Sequence, residues 1–123
     1  MAVLFRRIIP ILFVSDLEAE RDFYLRLGFR VTYEGPEYPN FLALGHGPIE
    51  FGIEWRPGFS AAGPDQVLTW QLGVDDLDEA KKVFDNAGVP YEEELMTPSR
   101  DWQYRVMHAR TPNGYHLLIE GGG

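Results

Sequence analysis

The side chains best suited to chemistry in this sequence are two carboxylates in one short apolar segment, residues 49–55. Glu50 and Glu54 alternate there with apolar residues, and this period of two predicts a strand. Its apolar side chains are expected to pack on a helix, which leaves both carboxylates on the concave side. A carboxylate in an apolar cavity binds a cationic ligand or, with a raised pKa, acts as a general base. Exposure at a sheet rim is the alternative for Glu50.

Two histidines near the end of the sequence are candidates for the same cavity. His116 has the strand parity of Leu118 and Glu120, and His108 lies on the neighbouring predicted strand. Together with Glu50 they offer one alternative metal site, for which no ligand-spacing rule exists. The other interpretation is that each histidine is a half-exposed strand residue with an ordinary hydrogen bond.

Aromatic residues make up 14% of the 123 residues, enough to line a small-molecule pocket. Trp102 follows the polar segment 98–101, which predicts a loop near an opening, and Tyr104 lies two residues further on. Flat rings at a groove mouth stack on planar ligands, and acidic residues nearby favour cationic ones. Trp102 and Tyr104 are therefore predicted ligand contacts.

Nucleophilic and phosphate-binding motifs are missing from the sequence. It has no cysteine, which excludes disulfides and thiolate chemistry, and its three serines lie in no nucleophile motif. Walker and Rossmann glycine-rich loops are also absent.

The elements that position these residues repeat after sixty positions. The matched pairs are Val14 and Val74, Asp16 and Asp76, Leu17 and Leu77, and Gly28 and Gly88. Two periods fill the sequence, which indicates duplication of one unit rather than a longer array.

The residue pattern of each copy predicts a strand, a helix and three further strands. The predicted strands are residues 5–14, 29–33, 41–44 and 49–55 in the first copy, and 91–95, 104–109 and 115–120 after the helix of the second. Ser15, three residues before Glu18, fits a capping box at the start of the first helix. Gly28 and Gly88 directly follow the helical stripes, as expected of helix ends.

The predicted fold is α+β, with two tandem βαβββ modules forming a curved mixed sheet around a ligand cavity. One domain of residues 1–123 holds both repeats, at about 4–56 and 66–121, because neither repeat alone buries much core. The segment 56–66, rich in Gly and Pro, is expected to be a linker or a loop at the cavity rim.

Charge and hydropathy limit the expected partners and location. A formal charge of −8 and a pI near 4.7 disfavour nucleic acid and favour the approach of a cation. No apolar stretch approaches the roughly 18 residues of a membrane span, and the N-terminal segment lacks the features of a signal peptide. We therefore expect a soluble, cytoplasmic protein.

Several motifs together resemble the vicinal oxygen chelate superfamily, which includes glyoxalase I, extradiol dioxygenases, fosfomycin-resistance enzymes and bleomycin-resistance proteins. The motifs are Val14-x-Asp16-Leu17, Asp22-Phe23-Tyr24, Leu27-Gly28-Phe29, Val74-x-Asp76-Leu77, and Trp102-x-x-Arg105 ahead of Pro112-Asn113-Gly114. The resemblance covers nearly the whole sequence and is more specific for fold than for chemistry.

The resemblance also implies four metal-ligand positions, of which only one keeps a usual ligand. They fall on Ile9 in the first strand, Glu50 in the fourth, Thr69 at the start of the fifth, and Leu118 in the last. A catalytic divalent ion needs about three protein ligands, so we expect no metal cofactor.

The sequence is thus most similar to metal-free bleomycin-resistance-like proteins, which implies a homodimer that sequesters a small aromatic or cationic ligand without turnover. The predicted ligand contacts are Ile9, Glu50, Glu54, Thr69, Trp102, Tyr104, His116 and Leu118. One alternative is a lyase, isomerase or dioxygenase with a degenerate divalent-metal site. Another is a metal-free enzyme with Glu50 as its general base.

Overall fold

A computed structural model describes residues 4–61 and 69–121, which divide into two compact units between Phe59 and Ser60. The elements of the first unit are β1 (Ile11–Val14), α1 (Leu17–Arg26), β2 (Arg30–Tyr33), β3 (Phe41–His46) and β4 (Ile49–Trp55). Its four-stranded sheet has the order β1-β4-β3-β2. The β1 and β4 strands are parallel and the other neighbours are antiparallel.

The second unit repeats this arrangement. Its elements are β5 (Thr69–Val74), α2 (Leu77–Ala87), β6 (Glu92–Ser99), β7 (Trp102–Arg110) and β8 (His116–Gly121). The sheet order is β5-β8-β7-β6, again with one parallel pair, β5 and β8. The prediction of an α+β fold with two tandem βαβββ modules is therefore confirmed, whereas the ligand cavity stays a prediction.

Both helices end in the same way at the matched glycines. Gly28 and Gly88 have φ of 97° and 71°, a left-handed conformation that costs glycine little. The next residue then donates its N–H back to the helix, from Phe29 to Tyr24 and from Val89 to Phe84, each at 3.0 Å. This is the hydrogen bond of a Schellman motif, which explains why both copies have glycine at this position.

The predicted cap of α1 was wrong by one residue. The N-cap is Asp16, whose Oδ1 accepts a hydrogen bond from the backbone N–H of Ala19 at 3.0 Å, and not Ser15. Asp76 caps α2 in the same way, since its carboxylate accepts from the N–H groups of Asp78 and Glu79. A capping oxygen has to lie directly before the first helical residue, Leu17, and that position belongs to Asp16.

The first strand begins at Ile11 and not at Phe5, so it is shorter than predicted. Phe5 is 95% exposed. Pro10 has no N–H for a ladder, although its carbonyl accepts from Gly52 N at 2.8 Å. Ile9, predicted to lie on strand one, therefore lies just before β1, where it is half-buried.

The hairpin of β6 and β7 is longer than predicted. Ser99 pairs with Trp102, so β7 begins at Trp102 and the loop predicted at residues 98–101 is reduced to the two turn residues 100–101. Of the predicted linker, residues 62–66 lie outside the described part of the chain, as do residues 66–68 of the predicted second repeat.

The alternation predicted for β4 separates two faces of the first sheet. Ile53 is fully buried, and the Phe51 ring packs against that of Tyr24 on α1, with centroids 4.9 Å apart. Trp55, at the strand end, is exposed. Glu50 and Glu54 point to the other side, which we call the first helix-free face. It comprises Ile11, Phe13, Thr32, Phe41, Glu50, Gly52 and Glu54.

The second sheet has the same two sides. Leu117, Ile119 and Met107 are buried on the side of α2, where Lys81 of that helix pairs with Glu93 of β6 at 3.2 Å. The opposite side, the second helix-free face, comprises Thr69, Gln71, Glu94, Trp102, Tyr104, His108, Arg110, His116 and Leu118. Neither helix in the described part of the chain has the length and apolar composition needed to cross a bilayer.

Candidate functional site

Strand register assembles the first helix-free face from β1, β3 and β4. Phe13 and Phe41 both lie opposite Glu54, on either side of β4. The Phe41 ring lies over Gly52, so closely that a Cβ at that glycine would be 2.5 Å from the ring atom Cε2. Phe13 is 38% exposed. This face therefore offers aromatic surface beside a carboxylate.

Glu50 is half-buried on this face and has two partners. The Thr32 hydroxyl donates to its Oε2 at 2.9 Å, and Arg7 Nη1 lies 3.6 Å from its Oε1. The Arg7 side chain is 74% exposed. Because an exposed ion pair of this kind contributes only about 0–1 kcal/mol, a cation brought by a ligand can replace Arg7.

Glu54 has a shorter ion pair than Glu50 has. Arg56 Nε donates to its Oε2 at 2.8 Å, and the same guanidinium carbon lies 4.4 Å from the Phe13 ring centroid. A cation in that position is attracted by the ring face as well as by the carboxylate. Phe59 meets Phe13 edge-on, with centroids 6.0 Å apart. Glu54, Arg56 and the two rings thus form one cluster.

The other predicted contacts share the second helix-free face. Thr69 lies opposite His116, and Leu118 lies between Gln71 and His108. Trp102 and Tyr104 bring their ring centroids to 5.0 Å, and Trp102 is 58% exposed. Five of the eight predicted contacts are therefore on this face, while Glu50 and Glu54 are on the first.

A continuous row of hydrogen bonds crosses the second sheet from β5 to β6. Thr69 Oγ1 is 3.2 Å from His116 Nδ1, and His116 Nε2 is 2.9 Å from His108 Nδ1. His108 Nε2 is in turn 3.1 Å from Glu94 Oε1. The two imidazole planes are within 9° of each other. We call these four residues the relay.

The hydrogen bonds of the relay run in one direction when both imidazoles are neutral. Glu94 only accepts, so His108 has its proton on Nε2 and accepts at Nδ1. His116 then also has its proton on Nε2, and its Nδ1 accepts from the Thr69 hydroxyl. Each ring nitrogen thus has a partner with the matching role.

An open pocket of about 540 Å³ adjoins the relay. Its lining residues are Glu92, Glu94, His108, Ala109, Arg110 and His116. Its side chains thus include carboxylates, imidazoles and a guanidinium, whereas the first face has aromatic rings beside carboxylates.

Burial lowers the pKa of His116 from its ordinary value of 6.5, and the positive charges of Arg110 and His108 lower it further. The unfolded chain therefore binds more protons just below pH 6.5 than the folded chain does. The stability contributed by neutral His116 is complete above that pH and is lost as pH falls through the lowered pKa.

We expect the melting temperature to depend less on pH, between about pH 7 and pH 5, once His116 is replaced by Gln. Differential scanning fluorimetry of both proteins across this range gives the comparison. Thr97→Val, which changes no titratable group at an exposed position on β6, is the control and should keep the wild-type slope. An unchanged slope in the His116 variant would contradict the assignment.

A sequence model of the Glyoxalase/Bleomycin resistance protein/Dioxygenase superfamily matches residues 6–119. The chain belongs to this superfamily. The resemblance drawn from the motifs is therefore confirmed.

Solved structures agree with this membership at the level of fold. A bleomycin-binding protein complexed with bleomycin is 20% identical, with a TM-score of 0.69 over 97% of this chain and 100% of the other. A superfamily protein from Alicyclobacillus acidocaldarius is 14% identical, with a TM-score of 0.77 over 93% and 89%. Lactoylglutathione lyase from Agrobacterium tumefaciens is 18% identical, with a TM-score of 0.67 over 94% and 93%. No curated protein sequence matches this chain.

The metal site of the metal-dependent superfamily members does not fit these residues. Ile9 and Leu118 have no donor atom, and Thr69 Oγ1 faces His116. Glu50, the remaining position, already engages Thr32 and Arg7. Across residues 4–61 and 69–121, no three His, Asp or Glu side chains are arranged to hold a metal ion. His108 and His116 direct nitrogens at each other and not at a common point.

Several residues of these clusters were not among the site residues predicted from the sequence. Thr32 and Glu94 come from strands β2 and β6, which were predicted without any role for their polar side chains. Glu92 and Glu94 share one face of β6, but Glu93 between them is also acidic, so the residue types alone do not distinguish the two faces of this strand.

Proposed function

We propose that this protein binds a planar, cationic small molecule on the first helix-free face and holds it stoichiometrically, without turnover. The observation that carries the proposal is that two aromatic rings, the exposed Phe13 and the half-buried Phe41, lie on the same sheet face as the carboxylate of Glu50. Rings on a rigid sheet stack on a planar ligand at low entropic cost.

The charge of the ligand follows from the partners of Glu50. Its ion pair with Arg7 is long and exposed, so a ligand cation that displaces Arg7 loses little and gains a half-buried carboxylate. The net charge of −8 also favours the approach of a cation over that of an anion.

The similar bleomycin-binding protein makes bleomycin the first ligand to test, and antibiotic sequestration the proposed role. In the second unit, Trp102 and Tyr104, whose ring planes are tilted by 32°, are proposed as contacts for an aromatic ligand on the second helix-free face. The proposal also includes a homodimer, as the superfamily resemblance implies, and a cytoplasmic location, as expected from the hydropathy of the sequence.

Isothermal titration with bleomycin and with proflavine, a simple planar cation, tests the proposal. We expect binding of at least one of the two, and a Kd about tenfold higher after Glu50→Gln or Phe41→Leu. Glu18→Gln, on the exposed side of α1, removes the same charge from the other side of the first sheet and should bind like wild type. The proposal fails if neither ligand binds, or if all three variants bind equally.

An enzymatic role would give a different set of results. Stoichiometric zinc, nickel, manganese or iron in the purified protein, lost in Glu50→Ala, would replace the proposal with a metal-dependent lyase, isomerase or dioxygenase. Turnover that depends on pH and disappears in Glu50→Gln would replace it with general-base catalysis.

A further inference from the structure

We propose that Thr69 is the nucleophile of a second, hydrolytic site, in which the relay activates its hydroxyl toward an activated carboxylic ester. The site lies in the second unit and uses none of the residues of the first helix-free face, so it is a function beyond the proposed ligand binding.

The geometry is that of a nucleophile, its base and the groups that orient the base. Thr69 Oγ1 is within hydrogen-bond reach of His116 Nδ1, at 3.2 Å, and the Thr69 residue is exposed. His116 is oriented by His108, and His108 by Glu94, at 2.9 and 3.1 Å. A nucleophile within reach of a base that a third group holds in place is the recurring pattern of acyl-transfer sites.

The direction of the hydrogen bonds matters as much as the distances. His116 has its acceptor nitrogen toward Thr69 because its other nitrogen donates to His108. When His116 takes the hydroxyl proton, the resulting imidazolium still donates to His108, which donates to the carboxylate of Glu94. His108 and Glu94 are therefore positioning residues that stabilise the charged base, as an acid residue does in a catalytic triad.

The surroundings keep His116 ready to accept a proton near neutral pH. Burial lowers the pKa of His116 and the positive charge of Arg110 lowers it further, so the neutral form of His116 predominates there. The charged and titratable groups that face it on this side of the sheet are His108, Arg110, Glu92, Glu94 and Glu120.

The proposed reaction is hydrolysis of the ester through an acyl-threonine. Thr69 Oγ1 bonds to the carbonyl carbon while its proton moves to His116 Nδ1, and the bond to the leaving oxygen breaks. The leaving alkoxide takes the proton from His116. Water then attacks the acyl-threonine, giving a proton to His116, and the acid departs as Thr69 regains its hydrogen. The products are one carboxylic acid and one alcohol.

The open pocket beside the relay reaches the two histidines, His108 and His116. Its volume is about 540 Å³, and Arg110 is among its lining residues. This lining reaches the base, His116, and does not include Thr69, which lies on the other side of β8 from Arg110.

Hydrolysis of 4-nitrophenyl acetate by the full-length protein tests the proposal. We expect kcat/KM to fall about 100-fold in Thr69→Val, which removes the hydroxyl at almost constant volume, and to be largely retained in Thr69→Ser. Mass spectrometry of the quenched protein should find the acetyl group as an ester on Thr69.

The pH profile of kcat/KM tests the positioning role of Glu94 separately. Glu94→Gln is expected to lower kcat/KM about tenfold and to move the acid limb of its pH profile to lower pH, because the charge that stabilises protonated histidine is gone. A purely structural role for Glu94 would leave the position of that limb unchanged.

Controls separate this site from general reactivity of surface groups. Thr97→Val, at an exposed position on β6, and His46→Gln, at an exposed position on β3, should retain wild-type rates. Circular dichroism melts of the Thr69 variants check that they fold. Wild-type rates in folded Thr69→Val, or acetyl groups only on imidazole or lysine, would overturn the proposal.

Discussion

Replacing Leu117 by Ala is expected to lower the free energy of unfolding by about 2–5 kcal/mol, the largest stability change among the variants considered. Leu117 is 0% exposed and lies on β8, an interior strand of the second sheet, between Trp70 of β5 and Ala109 of β7. Interior strands are fixed on both sides by hydrogen bonds, so the backbone cannot close the cavity that the shorter side chain leaves. Domains of this size are stable by only about 5–15 kcal/mol, so the loss is a large fraction of the total.

Urea unfolding followed by circular dichroism measures this difference, provided that the m-values of the two proteins agree. Leu95→Ala is the matched control, because Leu95 belongs to the edge strand β6 of the same sheet and is 55% exposed. Its cost should stay below about 1 kcal/mol. Equal losses in the two variants would show that Leu117 is not part of a packed core.

The duplicated architecture could be predicted because its signals are local. Gly28 and Gly88 end their helices through the same left-handed conformation, and Asp16 and Asp76 begin them through the same carboxylate cap. Glycine in that conformation and a capping oxygen before a helix are needed whatever lies around them.

The errors occurred where local signals were ambiguous. Ser15 and Asp16 are both good capping residues, and the capping-box spacing to Glu18 favoured the wrong one. Comparison with the second copy favours Asp16, since Asp is the residue that both copies share. For β1, the apolar residues from Phe5 onward predicted a strand, but the ladder with β4 begins only at Ile11. A strand needs a partner, and apolar composition alone does not supply one.

In the candidate sites, too, some features could be predicted from local patterns and others could not. The direction of Glu50 and Glu54 followed from the alternation along β4, and the shared side of His116 and Leu118 followed from that along β8. The contact of Thr32 with Glu50, and the order of the relay, depend on which residues of neighbouring strands face each other. That register is set by turns and bulges, such as the irregularity of β6 between Met96 and Ser99.

The two sheets, although copies of one architecture, present different chemistry on their helix-free faces. Phe13 and Phe41 make the first an aromatic surface with carboxylates, whereas the second has His108 and His116 in a polar row. Duplication keeps the strand order and the capped helices, while the side chains that point away from the helices are free to differ. Superfamily membership therefore fixes the scaffold and leaves each face to be assigned from its own residues.

Replacing Gly52 by Val is expected to weaken binding of a planar cation at least tenfold while changing the free energy of unfolding by only about 1 kcal/mol. A Cβ at this position would lie 2.5 Å from Phe41 Cε2 and 2.8 Å from Cζ, so the ring has to leave its place over β4. Both are outer atoms of the half-exposed Phe41 side chain, which can rotate away at a small cost in free energy. Valine itself favours strands. The fold is thereby kept while the stacking surface is lost.

Gly73→Val provides the matched control, since Gly73 lies on the helix-free side of β5 and a Cβ there would have no atom of another described residue within 4 Å. Titration with proflavine and urea unfolding should be run on both variants. The expected result is weaker binding in Gly52→Val alone, with similar stability in both. Wild-type affinity in Gly52→Val would mean that Phe41 does not contact the ligand, because its ring cannot stay in place beside a valine. Weaker binding in both variants would instead assign the effect to the substitution of a strand glycine and not to the aromatic face.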